Sequence, residues 1–248
     1  MSGHSKWSKI KRQKGVTDVR RGLVFTKLSR EITVAARHGA DPESNFRLRL
    51  VVQTARDSNM PMENVERAIK KGAGGEEGAN LVEMTLEGYG PNGVAIIVEA
   101  VTDNRNRTLP EVRNFFSRNG GSLSDTGSVA WIFESRGVIT VSVGGEDAEE
   151  IALEAIDAGA ADVKIEDGYL EVFTTPQELE PVRKALSEKG RSVDSADLSM
   201  VPSTQVQVDD KAARQTLKLL DLLEELDEVQ HVYSNADFSD AALEEYSR

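Results

Sequence analysis

Apolar residues recur every three or four positions through the first part of the chain and then switch to alternation, so helices precede strands. Val24, Leu28, Ile32 and Ala35 form one face of a first helix, with His38-Gly39 as its cationic last turn and C′ glycine. Asp41-Pro42 reads as the N-cap and first residue of a second helix, whose stripe is Leu48, Val51, Val52 and Ala55. Asn59-Met60-Pro61 breaks that helix. A third follows with Met62, Val65 and Ile69 on one face, Lys70 and Lys71 complementing its dipole, and Gly72 at its end. Three such stripes satisfy one another in a three-helix bundle.

Residues 73–78 read as a linker, and the pattern then changes. Val82, Met84 and Leu86 alternate with Glu83, Thr85 and Glu87, a half-buried strand. A turn at 90–93 leads into 94–101, whose near-continuous apolar character fits a central strand. Thr108-Leu109-Pro110-Glu111 reads as a capping box opening a helix with Val112, Phe115 and Phe116 inward, and 129–133 as a strand. From Gly137 the order is strand, helix (147–158), a hairpin around Asp167-Gly168, a helix capped at Thr175, and a strand near 193–201. That is the β-α-β-β-α-β order of ferredoxin-like folds. A strand at 205–208, a helix capped by Asp209 and a strand at 229–233 complete the chain.

This last β-α-β and the β-β-α-β of residues 80–135 each lack partners, so they are expected to share one sheet. The expected fold class is multi-domain α and α+β. It comprises a basic arm plus three-helix bundle (1–76), a discontinuous α+β domain (77–136 and 203–248), and a ferredoxin-like domain (137–202) inserted into the latter.

Charge changes this picture from architecture toward function. Residues 1–72 hold 16 Lys+Arg against 7 Asp+Glu, a net of +9, while residues 73–248 hold 14 against 35, a net of −21, within an overall −12. A chain with its positive charge gathered at one end can present that end to phosphates and hold the rest away. No apolar run is long enough to span a bilayer, and the opening residues lack the apolar core of a secretory signal. With no cysteine, the expected compartment is the cytoplasm, and thiolate metal sites and cysteine nucleophiles are excluded.

A catalytic reading finds little support. Gly88-Tyr89-Gly90-Pro91-Asn92-Gly93 spells a dinucleotide fingerprint, but a strand follows where a helix should, so a hairpin turn is the better reading. His4, His38 and His231 are scattered, and Glu149, Glu150, Glu224 and Glu225 sit on polar helix faces. No enzyme activity, cofactor, metal or small-molecule substrate is expected; the oligomeric state is left open.

Two features remain. In the arm, Lys6, Lys9, Lys11, Arg12 and Lys14 interleave with Trp7, a pattern suited to phosphate neutralisation and base stacking. Arg20 and Arg21, then Arg47, Arg49, Arg67, Lys70 and Lys71 on the helices, extend the same positive surface. The second feature is the polar loop 103–108. Its Arg105 and Arg107 stand next to a helix N-terminus and can grip a phosphate, or pair with neighbouring acids.

These same residues carry a family resemblance. Gly3-His4-Ser5-Lys6-Trp7, Asn59-Met60-Pro61, Glu66-Arg67-Ala68-Ile69-Lys70-Lys71-Gly72, Glu87-Gly88-Tyr89-Gly90-Pro91, Thr102-Asp103-Asn104-Arg105-Asn106-Arg107-Thr108 and Gly127-Ser128-Val129 resemble the YebC family. That family includes bacterial proteins and the mitochondrial translational activator of cytochrome oxidase. The resemblance implies a non-enzymatic regulator of gene expression with a helical domain and two α+β domains. It carries two assignments: a DNA-binding transcriptional regulator, and a ribosome-associated factor that binds ribosomal RNA and relieves stalling at proline stretches. The chain departs from the family pattern at Phe46 in place of proline, read as lengthening helix two, and at Ser8-Lys9 and Ser124-Asp125.

Overall fold

The computed structural model describes residues 18–74, 80–166 and 168–247, so the arm, most of the linker and Asp167 lie outside it. Residues 133–203 form one compact unit, and the residues on either side of them form another.

The flanking unit opens with α1 (Asp18–Ala36), α2 (Phe46–Asp57) and α3 (Met62–Ala73). Leu28, Ile32 and Ala35 of α1 bury against Leu48, Val52 and Ala55 of α2 and Val65 and Ala68 of α3. Val24 and Met62, expected on the inner stripes, are exposed; Phe25 and Met60 pack on the core in their stead. The stripe of α1 continues back from Leu28 by three residues instead of four.

The start of α2 also differs from expectation. Asp41 caps only a turn, accepting from the Glu43 amide, and the helix begins four residues later with Asn45 as its N-cap. Asn45 Oδ1 accepts from the Leu48 amide at 3.1 Å, while its Nδ2 donates to the carbonyls of Ala35 and Gly39, each at 2.8 Å. One side chain thus caps α2 and ties down the end of α1. Phe46 takes the first helical position, where proline fits equally, so it does not lengthen the helix. Replacing Asn45 by alanine is expected to lower stability by about 2 kcal/mol, combining a lost cap with the loss of both ties to the end of α1; the Gly39 carbonyl loses its side-chain donor, while that of Ala35 keeps the His38 amide. A loss of unfolding free energy smaller than a quarter of that, measured by denaturant titration, would refute the double role.

The rest of this unit is built on a four-stranded antiparallel sheet, β3-β1-β2-β9, from β1 (Val82–Tyr89), β2 (Ala95–Thr102), β3 (Ser122–Ser124) and β9 (Val229–Ser234). Helix α4 (Arg105–Arg118) and helix α7 (Asp210–Glu224) supply Val112, Phe116, Leu217 and Leu220 to a core shared with Ile96 and Val98. Asn104, not Thr108, caps α4; Thr108 is buried one turn on, its hydroxyl at 2.9 Å from that of Thr102. The turn at Pro91–Gly93 carries Asn92 and Gly93 at φ 57° and 74°, as a tight reversal requires.

The expected strand at 205–208 does not join this sheet. As β8 (Val206–Gln207) it pairs in parallel with β10 (Ala236–Asp237), because β9 already occupies the free edge of β2. Nor do residues 129–132 form a strand: 130–132 make a 3-10 turn, and strand structure resumes only at Phe133. A last helix, α8 (Asp240–Ser247), was not foreseen.

Within residues 133–203, β4 (Phe133–Ser142), β5 (Asp162–Glu166), β6 (Tyr169–Thr174) and β7 (Ser192–Pro202) form an antiparallel sheet of order β5-β6-β4-β7. Helices α5 (Ala148–Asp157) and α6 (Leu179–Glu188) pack on it through Ile151, Ala155, Val182 and Leu186. This is the ferredoxin-like arrangement. Thr175 accepts from the Glu178 amide at 3.3 Å, and α6 starts only after that turn.

Candidate nucleic-acid interface

Helix α3 carries the cationic face. Arg67, Lys70 and Lys71 are spaced three and four residues apart, so they share one side of the helix, and all three are exposed. They are exposed because Val65 and Ala68 take the opposite side into the bundle. Arg67 pairs with Glu63 at 2.8 Å on the surface.

Between α1 and α3 lies an open cleft of about 550 Å³. The two helices cross closely at its closed end. Thr33 Oγ1 donates to the Ala68 carbonyl at 3.3 Å, and Gly72 sits inside α3, not at its end as expected, where a Cβ would fall 2.1 Å from the Thr33 carbonyl oxygen. From that crossing the helices diverge. Thr26, Ser29 and Arg30 of α1 line one wall with Phe25, and Asn64, Arg67 and Lys71 of α3 line the other. Asp103, from the polar loop after β2, contributes the acid of the cleft, with Leu81 beside it.

The helices are tied by polar contacts to the α+β part of the same unit. Lys27 donates to the Glu224 carbonyl at 2.5 Å, and Arg37 to the Leu81 carbonyl at 2.7 Å. Arg47 pairs with Glu83, which holds its guanidinium firmly charged. Glu31 meets His231 at 2.9 Å; burial alone would raise the Glu31 carboxyl, but His231, with Arg47 and Lys27, holds it below its ordinary range.

The other expected contacts divide. Arg21 is exposed on α1. Arg20 also belongs to α1, whereas Lys6, Trp7, Lys9, Lys11, Arg12 and Lys14 lie outside the described residues. Arg49 donates to the Glu43 carbonyl at 3.2 Å and lies over the Phe46 ring. In the 103–108 loop, Arg105 is exposed, while Arg107 is held by Glu228 at 2.6 Å and Asp103 at 2.9 Å.

Three features escaped the sequence reading: Arg30, Glu87 and Trp131. Glu87 is buried, and its carboxylate accepts from the amides of Gly127 at 2.7 Å and of Val129 and Ala130, both at 2.8 Å. With these amides spent on a side chain, Val129 and Ala130 do not donate to a sheet ladder. The loop so held presents Trp131, 74% exposed, with its indole N–H on the Ser128 carbonyl. A polar stripe Thr26, Ser29, Arg30, Thr33 at helical spacing was the sequence signal for the cleft.

Among the described residues, no group of three or more His, Asp or Glu is placed to hold a metal. Fold and surface together define a multi-domain α and α+β protein whose positive charge is displayed on its helical domain. The comparisons with known proteins make the assignment specific. Models described as the TACO1/YebC N-terminal domain and the TACO1/YebC second and third domain match residues 5–75 and 81–236, and the chain belongs to this family. A probable transcriptional regulatory protein of Dehalococcoides mccartyi is 54% identical over 247 residues, covering 99% of this chain and 98% of that one. Others so named, from Halothermothrix orenii and Roseiflexus castenholzii, are each 51% identical, covering 99% of this chain and 98% and 99% of theirs. The crystal structure of a conserved hypothetical protein from Aquifex aeolicus superimposes with a TM-score of 0.82 at 44% identity, covering 90% of this chain and 93% of the other.

Proposed function

We propose that this protein is a non-enzymatic regulator of gene expression that binds nucleic acid through its helical domain, acting on DNA as a transcriptional regulator. The observation that carries this is the exposed run Arg67, Lys70, Lys71 on α3, within a segment of net +9 in an otherwise acidic chain. Such a face attracts phosphate by counterion release, while the acidic remainder keeps the rest of the protein off the polymer. The names of the relatives support the transcriptional assignment. Among the described residues, no helix is long and apolar enough to cross a membrane.

A second reading, binding of ribosomal RNA on the ribosome, is favoured by the cleft beside α3. Folded RNA offers unpaired nucleotides that a concave site can hold, and an intact DNA duplex does not.

The test is the salt dependence of binding to duplex DNA and to structured RNA. K70A/K71A is expected to lower the log–log slope by about 0.9 per lost contact on duplex DNA, or about 0.7 on single strands. Alanine at Lys6, Lys9, Lys11, Arg12 and Lys14 is expected to flatten it further. Unchanged slopes in both variants would remove the helical domain and arm from the interface.

A further inference from the structure

We propose that the cleft between α1 and α3 is a subsite for one unpaired nucleoside phosphate, with the phosphate against Arg30 and Lys71 and the base against Phe25. This rests on the nucleic-acid reading above and names what that surface would select. The central observation is Arg30. Its side chain lines the cleft, and its Nη1 has no hydrogen-bond partner among the described residues. A guanidinium is always charged and carries only donors, so an arginine that lines the cleft with a donor left unsatisfied suits an acceptor brought by a ligand. An oxyanion fits that need best.

The charge around it has the right sign. Lys71, on the opposite wall, has no carboxylate partner among the described residues. Arg67 shares its charge with Glu63, and Asp103 is already engaged by Arg107. The uncompensated charge of the cleft is therefore positive.

Size and lining then narrow the ligand. A volume of about 550 Å³ lies within the usual range for small-molecule sites, room for a nucleotide and far too small for a duplex. Phe25 is partly buried and fixed by packing on the helical core, which makes it a rigid wall on which any base can stack. Asn64 brings an amide with both a donor and an acceptor for a base edge. A paired base inside a helix could reach none of these groups. The subsite thus selects single strands, loops or ends over perfect duplex, whichever polymer carries them.

The experiment titrates the full chain with a fluorescein-labelled oligothymidylate and a blunt DNA duplex, using free thymidine 5′-monophosphate as competitor. The variants are R30M, which keeps the apolar stem, F25L, which keeps the packing, and K71A, which lies on the surface. R30M and F25L are each expected to weaken single-strand binding about tenfold, the scale of one lost stacking or charge-assisted contact, with duplex binding unchanged. R30M and K71A should each lower the single-strand salt slope by about 0.7. The thermal midpoint of R30M should equal or exceed that of the wild type, because the buried nitrogen it removes has no partner.

Competition by the free nucleotide at concentrations matching the strand would make the free nucleotide the ligand source, with the cleft retained. Absence of such competition assigns the site to the strand. If the wild type binds the strand and all three variants bind it equally well, the subsite is refuted while the nucleic-acid reading stands. If the wild type binds neither polymer, the reading itself fails.

Discussion

Replacing Gly72 with alanine is expected to destabilise the protein by about 3 kcal/mol, reversing the sign that helix propensity alone dictates. In an isolated helix the substitution is favourable by roughly 1 kcal/mol. Here the new methyl would sit 2.1 Å from the Thr33 carbonyl oxygen and 2.9 Å from the Ala36 Cβ. One obstacle is backbone and the other a side chain of a single atom, so neither can swing away. The helices must part, and the Thr33 to Ala68 hydrogen bond lengthens with them. Gly22→Ala in α1 is the control. Nothing lies within 4 Å of its Cβ, so it should stabilise by about 0.5–1 kcal/mol. Denaturant midpoints that move in the same direction for both would refute the close crossing.

Glu87→Gln is expected to cost on the order of 3 kcal/mol although it removes almost no volume. Three backbone amides converge on the two carboxylate oxygens, and a carboxamide must turn its NH₂ toward at least one of them. Amide exchange at Gly127, Val129 and Ala130 should quicken more than elsewhere. There is also a pH signature. Burial acts to raise the Glu87 carboxyl, but the three N–H bonds outweigh it and hold it below its ordinary range. Its contribution is therefore complete above the usual carboxylate pKa and is lost as pH falls through the lower folded value. In E87Q the acid limb of the stability curve should become shallower. An equally steep limb with protection unchanged at 127–130 would show the carboxylate to be dispensable.

What could be read from the residues depended on distance along the chain. The stripe Leu28, Ile32, Ala35 and the apolar run at 94–101 are local patterns, and both are buried where expected. Asp41 looks the better cap in the sequence, because half of what Asn45 does lies in the carbonyls of Ala35 and Gly39, outside its own helix. Glu87 stands at a polar position of an alternating strand, and only amides some forty residues away make it an inside group. The strand at 229–233 joins the main sheet as its apolar pattern leads one to expect, but nothing local in 205–208 reveals that the edge is already occupied. In the site, the lysines at the end of α3 were legible as a dipole-matched last turn. The cleft needed the polar stripe of α1 to be read as a second packed face, one that meets a ligand instead of a core. Arg107 shows the converse: a residue that looks free in a polar loop is held by Glu228, far along the sequence.

Phe133 and Pro202 oppose each other on the first rung of the β4–β7 ladder, so residues 133–203 begin and end at neighbouring points. This bears on the order of events during synthesis. Strand β2 cannot gain its partner β9 until the chain has been made beyond residue 229, and by then residues 133–203 have already been made. Unfolded, that stretch would be a long loop for the β2–β9 pairing to close. Once folded, its two ends act almost as a direct splice, and the separation the sheet must bridge shrinks to the short segments on either side. The later module thus hastens completion of the earlier one, and a ribosome that pauses before residue 203 would leave β2 with an open edge and nothing yet made to cover it.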